Sequence, residues 1–206
     1  MVTHEMQDAE YTRSAIMVAL REATRTRHDA VEAAVDLTGR PLTMGRYRRL
    51  LRAFLGFYDP LEARLSALPD WNRLEPAPGR LEKSDWLRQD LLALHDAAVF
   101  EGEIERCQDL PDVADFGCAV GSLYVMEGAT LGGRIVLQHV RNSLNLKGDK
   151  GCRFFTSYGT AVARRWTETC RFITTHADSP GAAPLIIRGA CDTFDSLHRW
   201  FQSRSL

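Results

Sequence analysis

The chain has 206 residues, 45% of them hydrophobic and 26% charged, with a formal net charge of −1 at pH 7. That length and composition describe a single soluble domain with a sizeable core, and the near-zero charge gives no footing for nucleic acid. Five cysteines, at 107, 118, 152, 170 and 191, are odd in number and lack C-x-x-C spacing, which argues against a disulfide framework or a zinc site and fits a reducing cytoplasm.

Residues 1–13 are polar and without periodicity, so they read as a loose tail ahead of one domain over 14–206. The apolar run Ala15 to Leu20 is too short for a membrane span and passes into Arg21 and Glu22 without a small-residue cleavage signal, so neither export nor anchoring is expected. A helix is predicted over 14–37. On it Leu20, Thr24, His28, Val31 and Val35 fall within about 80° of one another, which points His28 where a core residue belongs. A polar ring on such a face needs a partner, because an unpaired buried polar group costs about 1–3 kcal/mol. It is either a satisfied core histidine or a ligand.

Tyr47, Leu50, Leu51, Phe54, Tyr58, Leu61 and Leu65 set a second helix over 43–68, with Pro60 a candidate bend. Arg46, Arg48, Arg49 and Arg52 on it form a basic cluster that reads as a solvated face or as a site for an acidic redox partner. Residues 69–79, with Pro76 and Pro78, read as a loop, followed by a helix over 85–99.

The next predicted helix, 112–146, carries Gly121, Gly128, Gly132 and Gly133 in its interior. Each forgoes about 0.5–1 kcal/mol relative to alanine, so something must compensate. The small-xxx-small step from Gly128 to Gly132 suits close helix packing, and equally a flat ligand lying on the backbone where a Cβ would collide. Glycine also permits a bend. Helices over 153–177 and 185–203, with a loop at 179–184, complete an all-α reading in which no segment alternates as a strand does. His4 lies in the tail. His95, His176 and His198 sit near helix ends or beside charges, whereas His139 follows Gly132 by two turns on a nearby face.

The segment L-R-E-A-T-x-x-x-H-x-x-x-E at residues 20–32, followed about a hundred residues later by Y-V-x-E-G-x-x-L-G-G at 124–133, resembles the heme oxygenases over nearly the whole chain. The resemblance implies a single-domain multi-helix bundle holding heme between a proximal helix and a kinked, glycine-rich distal helix. It implies that His28 ligates the iron and that Glu32 orients His28, with Gly128 and Gly132 lying over the other heme face. Tyr124, Ala129 and Gly133 belong to the same distal motif. Counting forward from Phe154 and Phe155 places the family's propionate-binding arginine at Arg171, and Arg21 takes the place of a second basic residue. Phe194 and Phe201 repeat an aromatic spacing beside the heme edge, although residues seven apart share a helix face in any core. Ala129 stands where animal members have an aspartate, so the chain resembles the bacterial branch.

The resemblance implies that heme b is both substrate and cofactor, cleaved with dioxygen and electrons from a reductase or ferredoxin to biliverdin, carbon monoxide and ferrous iron. A photoreceptor that takes biliverdin is a partner consistent with that chemistry. Ala129 leaves room for a non-catalytic heme carrier. A thiaminase-like bundle, which would need a cysteine nucleophile in the core, is a third reading.

Overall fold

A computed structural model describes residues 10–37, 39, 41–69, 71, 79–204 and 206, and these are helical with no strand among them. The long helices are α1 (Ala15–Val35), α2 (Met44–Ser66), α5 (Phe116–Leu144), α7 (Val162–Ala177) and α8 (Ala182–Gln202). Shorter ones are α3 (Lys83–Ala93), α4 (Ala97–Glu101) and α6 (Arg153–Thr156). Of the predicted tail, Glu10 to Thr12 form a helical turn and Tyr11 packs onto the core, while residues 1–9 lie outside the described residues.

Three features depart from simple periodicity, and each has a tertiary cause. The predicted helix 85–99 is split at His95, whose φ is +54°, because Asp96 caps α4 through the Ala98 N–H while Arg52 pairs with both oxygens of its buried carboxylate. The predicted helix 153–177 is split at Ser157 by the short α6, whose first amides, Arg153 N–H and Phe154 N–H, donate to the Asp90 carboxylate at 2.6 and 2.8 Å. Pro184, read as loop, lies in the first turn of α8, where its missing N–H removes no helical bond.

Pro60 sits inside α2 and removes the bond that the Gly56 carbonyl would otherwise accept. The freed oxygen accepts the Cys107 N–H at 2.8 Å instead. A Cβ on Gly56 would overlap the Glu105 carbonyl, so glycine and proline together let this segment lie directly on the helix.

The basic cluster of α2 is used within the fold. Arg46 donates to the Val35 and Asp36 carbonyls at the end of α1, and Arg48 donates to the Leu94 carbonyl at the end of α3, as cations at helix C-termini should. Arg52 is tied to Asp96 with its side chain still 41% exposed, and Arg49 is exposed.

Burial pushes the Asp90 carboxyl up to about 6, against the two amides that hold its charge. Between pH 3.8, its ordinary value, and pH 6 the unfolded chain loses this proton first, so this group subtracts up to about 3 kcal/mol of stability as pH rises. The expected outcome is that wild type loses ground against Asp90→Asn as urea unfolding is moved from pH 4 to pH 6.5. A stability difference independent of pH would contradict it.

Candidate functional site: an open cleft between two helices

Helices α1, α5 and α8 run parallel. Ala23 and Arg27 of α1 meet Cys191 and Asp195 of α8 in the same order, and Gly117, Gly121 and Ser122 of α5 meet Leu185, Ala190 and Thr193 in the same order. Two close approaches set this register. A Cβ on Gly121 would overlap the Ile186 carbonyl, and one on Gly189 would overlap the Cys118 carbonyl, so the α5–α8 crossing exists only with glycine on both sides. Ser122 and Thr193 hydroxyls close it with a 2.8 Å hydrogen bond.

Helix α1 reaches α5 where Thr24 lies close enough to Tyr124 to oppose the upward pull of burial on its phenol. One turn further along these parallel helices come His28 on α1 and Gly128 on α5, and there the contact opens. Leu20, Thr24 and Val35 of the α1 stripe are buried as the sequence predicts, but the His28 side chain is 53% exposed. The expected core position is therefore a gap in the core, with His28 on its wall.

A second open surface is the stripe Gly128, Leu131, Gly132 and Ile135 on α5, spaced i, i+3, i+4 and i+7. Leu131 is 46% and Ile135 75% exposed, large for apolar side chains in the middle of a helix. A Cβ on Gly132 would meet nothing within 4 Å, and one on Gly128 would meet only the Trp166 ring at 3.7 Å. Helix packing does not account for these two glycines, as no neighbouring backbone comes that close. Gly133 is different. Its vacant Cβ position lies 2.8 Å from the Phe155 carbonyl, so this glycine of the distal motif also lets α6 pack closely on the helix.

His28 is held firmly in place. Arg27 pairs through Nε with both Asp195 oxygens at 3.0 Å, anchoring the preceding residue to α8, and the imidazole stands edge-on to Phe194 with centroids 5.9 Å apart. Glu32 Oε1 lies 3.7 Å from Nε2 and Asp29 Oδ1 3.7 Å from Nδ1. Both carboxylates lie just beyond hydrogen-bond distance, so either ring nitrogen can take one as an orienting partner while the other binds a metal. Arg21 is exposed on the rim, near enough to Tyr124 and Cys170 for its charge to oppose the upward pull of burial on both. Arg171, the residue after Cys170, is exposed as well, and Ala129 is exposed beside Gly128.

Phe201 is not part of the cleft wall. It is 1% exposed in the main core, edge-on to Phe54 at 5.0 Å, so the predicted aromatic pair splits into one cleft residue, Phe194, and one core residue. Trp166 was not singled out by the sequence, yet it flanks Gly128 and tilts against Tyr124 at 5.8 Å. No local pattern marks a tryptophan on a separate helix. Burial pushes the Cys170 thiol up to about 12 and raises Cys107, Cys152 and Cys191, which leaves these four without the thiolate a cysteine nucleophile needs.

The described residues thus form an all-helical fold with an exposed histidine on α1 and an open, glycine-containing stretch on α5. The chain belongs to the heme oxygenase family, whose model, described as heme oxygenase, matches residues 14–203. Its fold is similar to that of a heme oxygenase from Leptospira interrogans, with a TM-score of 0.70 at 19% identity, covering 93% of this chain and 100% of that one. No curated protein matches it. Among the described residues no helix is long and apolar enough to cross a membrane.

Proposed function

We propose that the protein is a heme oxygenase of the bacterial branch, binding one heme b as substrate and cofactor and cleaving it to biliverdin, carbon monoxide and ferrous iron. The observation that carries this reading is that both motifs are open where a ligand would need them, with His28 exposed on α1 and room at Gly128 and Gly132 on α5. The residues present fit the group: an imidazole for the iron, apolar and aromatic surface for the ring, and cations at the rim for its two carboxylates.

In this reading His28 ligates the iron and Glu32, 3.7 Å from its Nε2, orients the imidazole. Held by an imidazole, which donates less electron density than a thiolate, the heme would supply the iron for dioxygen chemistry at its own ring. Gly128 and Gly132 admit the ring to the helix backbone. Tyr124 and Phe194 close the inner end, and Ala129, which carries no acid, leaves proton delivery to water held by backbone and neighbouring groups. Dioxygen and electrons arrive from outside, the latter from a reductase or ferredoxin, and the biliverdin leaves for an acceptor such as a photoreceptor. A cytoplasmic location suits five free cysteines.

Arg21 and Arg171 pair with the propionates and so decide which ring carbon faces the reacting oxygen. Replacing either by glutamine is expected to weaken hemin binding about tenfold and to change the proportions of biliverdin isomers on chromatography. Unchanged affinity together with an unchanged isomer would remove that role.

A heme carrier is the second reading, favoured by Ala129 in place of an acid. Ascorbate added to the hemin-loaded protein in air, with catalase present, separates them. Soret decay into a bilin spectrum supports the enzyme, and a stable Soret band supports the carrier.

A further inference from the structure

Glu127 is the sole acidic residue in the 29-residue helix α5, and it immediately precedes Gly128. It is 1% exposed. Arg80 donates to its Oε2 at 2.5 Å, while Lys83 Nζ and the Tyr158 hydroxyl donate to its Oε1 at 2.6 and 2.9 Å. Arg80 also donates to Glu168 at 2.9 Å and to the Arg165 carbonyl at 3.0 Å, and Lys83 donates to the Arg80 carbonyl at 2.9 Å. One carboxylate thus ties the distal helix to the segment before α3, to α3 itself and to the start of α7.

The backbone beside it is soft. The Thr130 hydroxyl donates to the Glu127 carbonyl at 2.7 Å, a second demand on that oxygen of the kind that bends helices, and Gly128, Gly132 and Gly133 follow. Beyond this stretch the helix is seated again where Gly133 meets Phe155. Residues 128–132 therefore form a compliant span between two fixed points, and the open wall of the cleft lies on that span.

We propose that Glu127 is a positioning residue: its buried pairing with Arg80, Lys83 and Tyr158 sets how closely the 128–132 span approaches the ring bound in the cleft. The inference rests on the heme reading of that cleft. Glu127 touches no ligand and acts through the backbone that follows it. The energetic logic favours a fixed point, since removing one member of a buried ion pair leaves the others charged and uncompensated.

The test compares Glu127→Gln and the milder Tyr158→Phe with Glu62→Gln, another buried carboxylate, which accepts the Lys83 and Ser84 amides at the start of α3 and lies off the distal helix. Hydrogen–deuterium exchange on the ligand-free protein reads the span directly. Amides 128–135 are expected to exchange about tenfold faster in Glu127→Gln, less so in Tyr158→Phe, and at the wild-type rate in Glu62→Gln. Under carbon monoxide with reduced hemin, the C–O stretching band is expected to shift in the first two variants and not in the third. Unchanged exchange at 128–135 in both Glu127→Gln and Tyr158→Phe, or an equal shift of the band in Glu62→Gln, overturns the proposal. A wild-type protein that takes up no hemin overturns the heme reading separately, because exchange reads the span without ligand.

Discussion

Gly132→Leu is expected to make the protein more stable and less able to bind hemin. In the ligand-free fold the new side chain projects into open space, since no atom lies within 4 Å of the added Cβ. Replacing a mid-helix glycine by leucine then adds about 0.5–1 kcal/mol of helix stability. The same side chain fills the wall against which the ring would lie, at a cost equivalent to about ten- to hundredfold in hemin affinity. Gly121→Ala has the opposite signature. Its Cβ would overlap the Ile186 carbonyl and the Ala190 amide, so α5 and α8 must part and stability falls by about 1–3 kcal/mol or more. Thermal melts and hemin titrations of the two variants separate packing glycines from binding glycines within a single helix. Gly132→Leu binding hemin as tightly as wild type would contradict the assignment.

The second large effect is expected from His28→Ala. Because the imidazole is half-exposed, touching Phe194 edge-on and two exposed carboxylates at 3.7 Å, the ligand-free variant should unfold within about 0.5 kcal/mol of wild type. Hemin bound to it lacks the axial nitrogen, so the Soret band should move and ascorbate-driven ring opening should fall by about a hundredfold or more, beyond the cost of losing an orienting partner alone. Added imidazole should restore the wild-type spectrum by supplying the missing ligand from solution. A variant with wild-type spectrum and turnover would place the iron ligand elsewhere.

The helices were legible because their apolar residues recur at the helical period, and α1, α2, α5 and α8 fall within a few residues of the predicted limits while α7 shares only the predicted end. Their interruptions were not. The breaks at His95 and Ser157 depend on the carboxylates of Asp96 and Asp90, whose side chains act on segments brought near only by folding. The site was legible as two motifs, one around His28 and one around Gly128, but not as roles. Four glycines look alike in a sequence, whereas in the fold Gly121 and Gly133 face backbone and Gly128 and Gly132 face the cleft. Phe194 and Phe201 share a helix face by spacing, yet α8 crosses from the cleft to the core between them. Four arginines on α2 looked like a surface patch because a sequence cannot show that Arg46 and Arg48 meet helix ends and Arg52 meets Asp96. Glu127 carried a visible signal, the sole acid of its helix, that only its three donors make interpretable.

A crystal structure of the hemin complex tests the central claim most directly. The expected result is one heme with a His28 nitrogen on the iron, the Gly128–Gly132 backbone across its other face, and its propionates toward Arg21 and Arg171. The fold offers a competing histidine in the open recess of about 500 Å³ lined by Ala33, Ala34, His198 and Leu206. Heme seated there, or on the cleft with His28 unligated, would contradict the account.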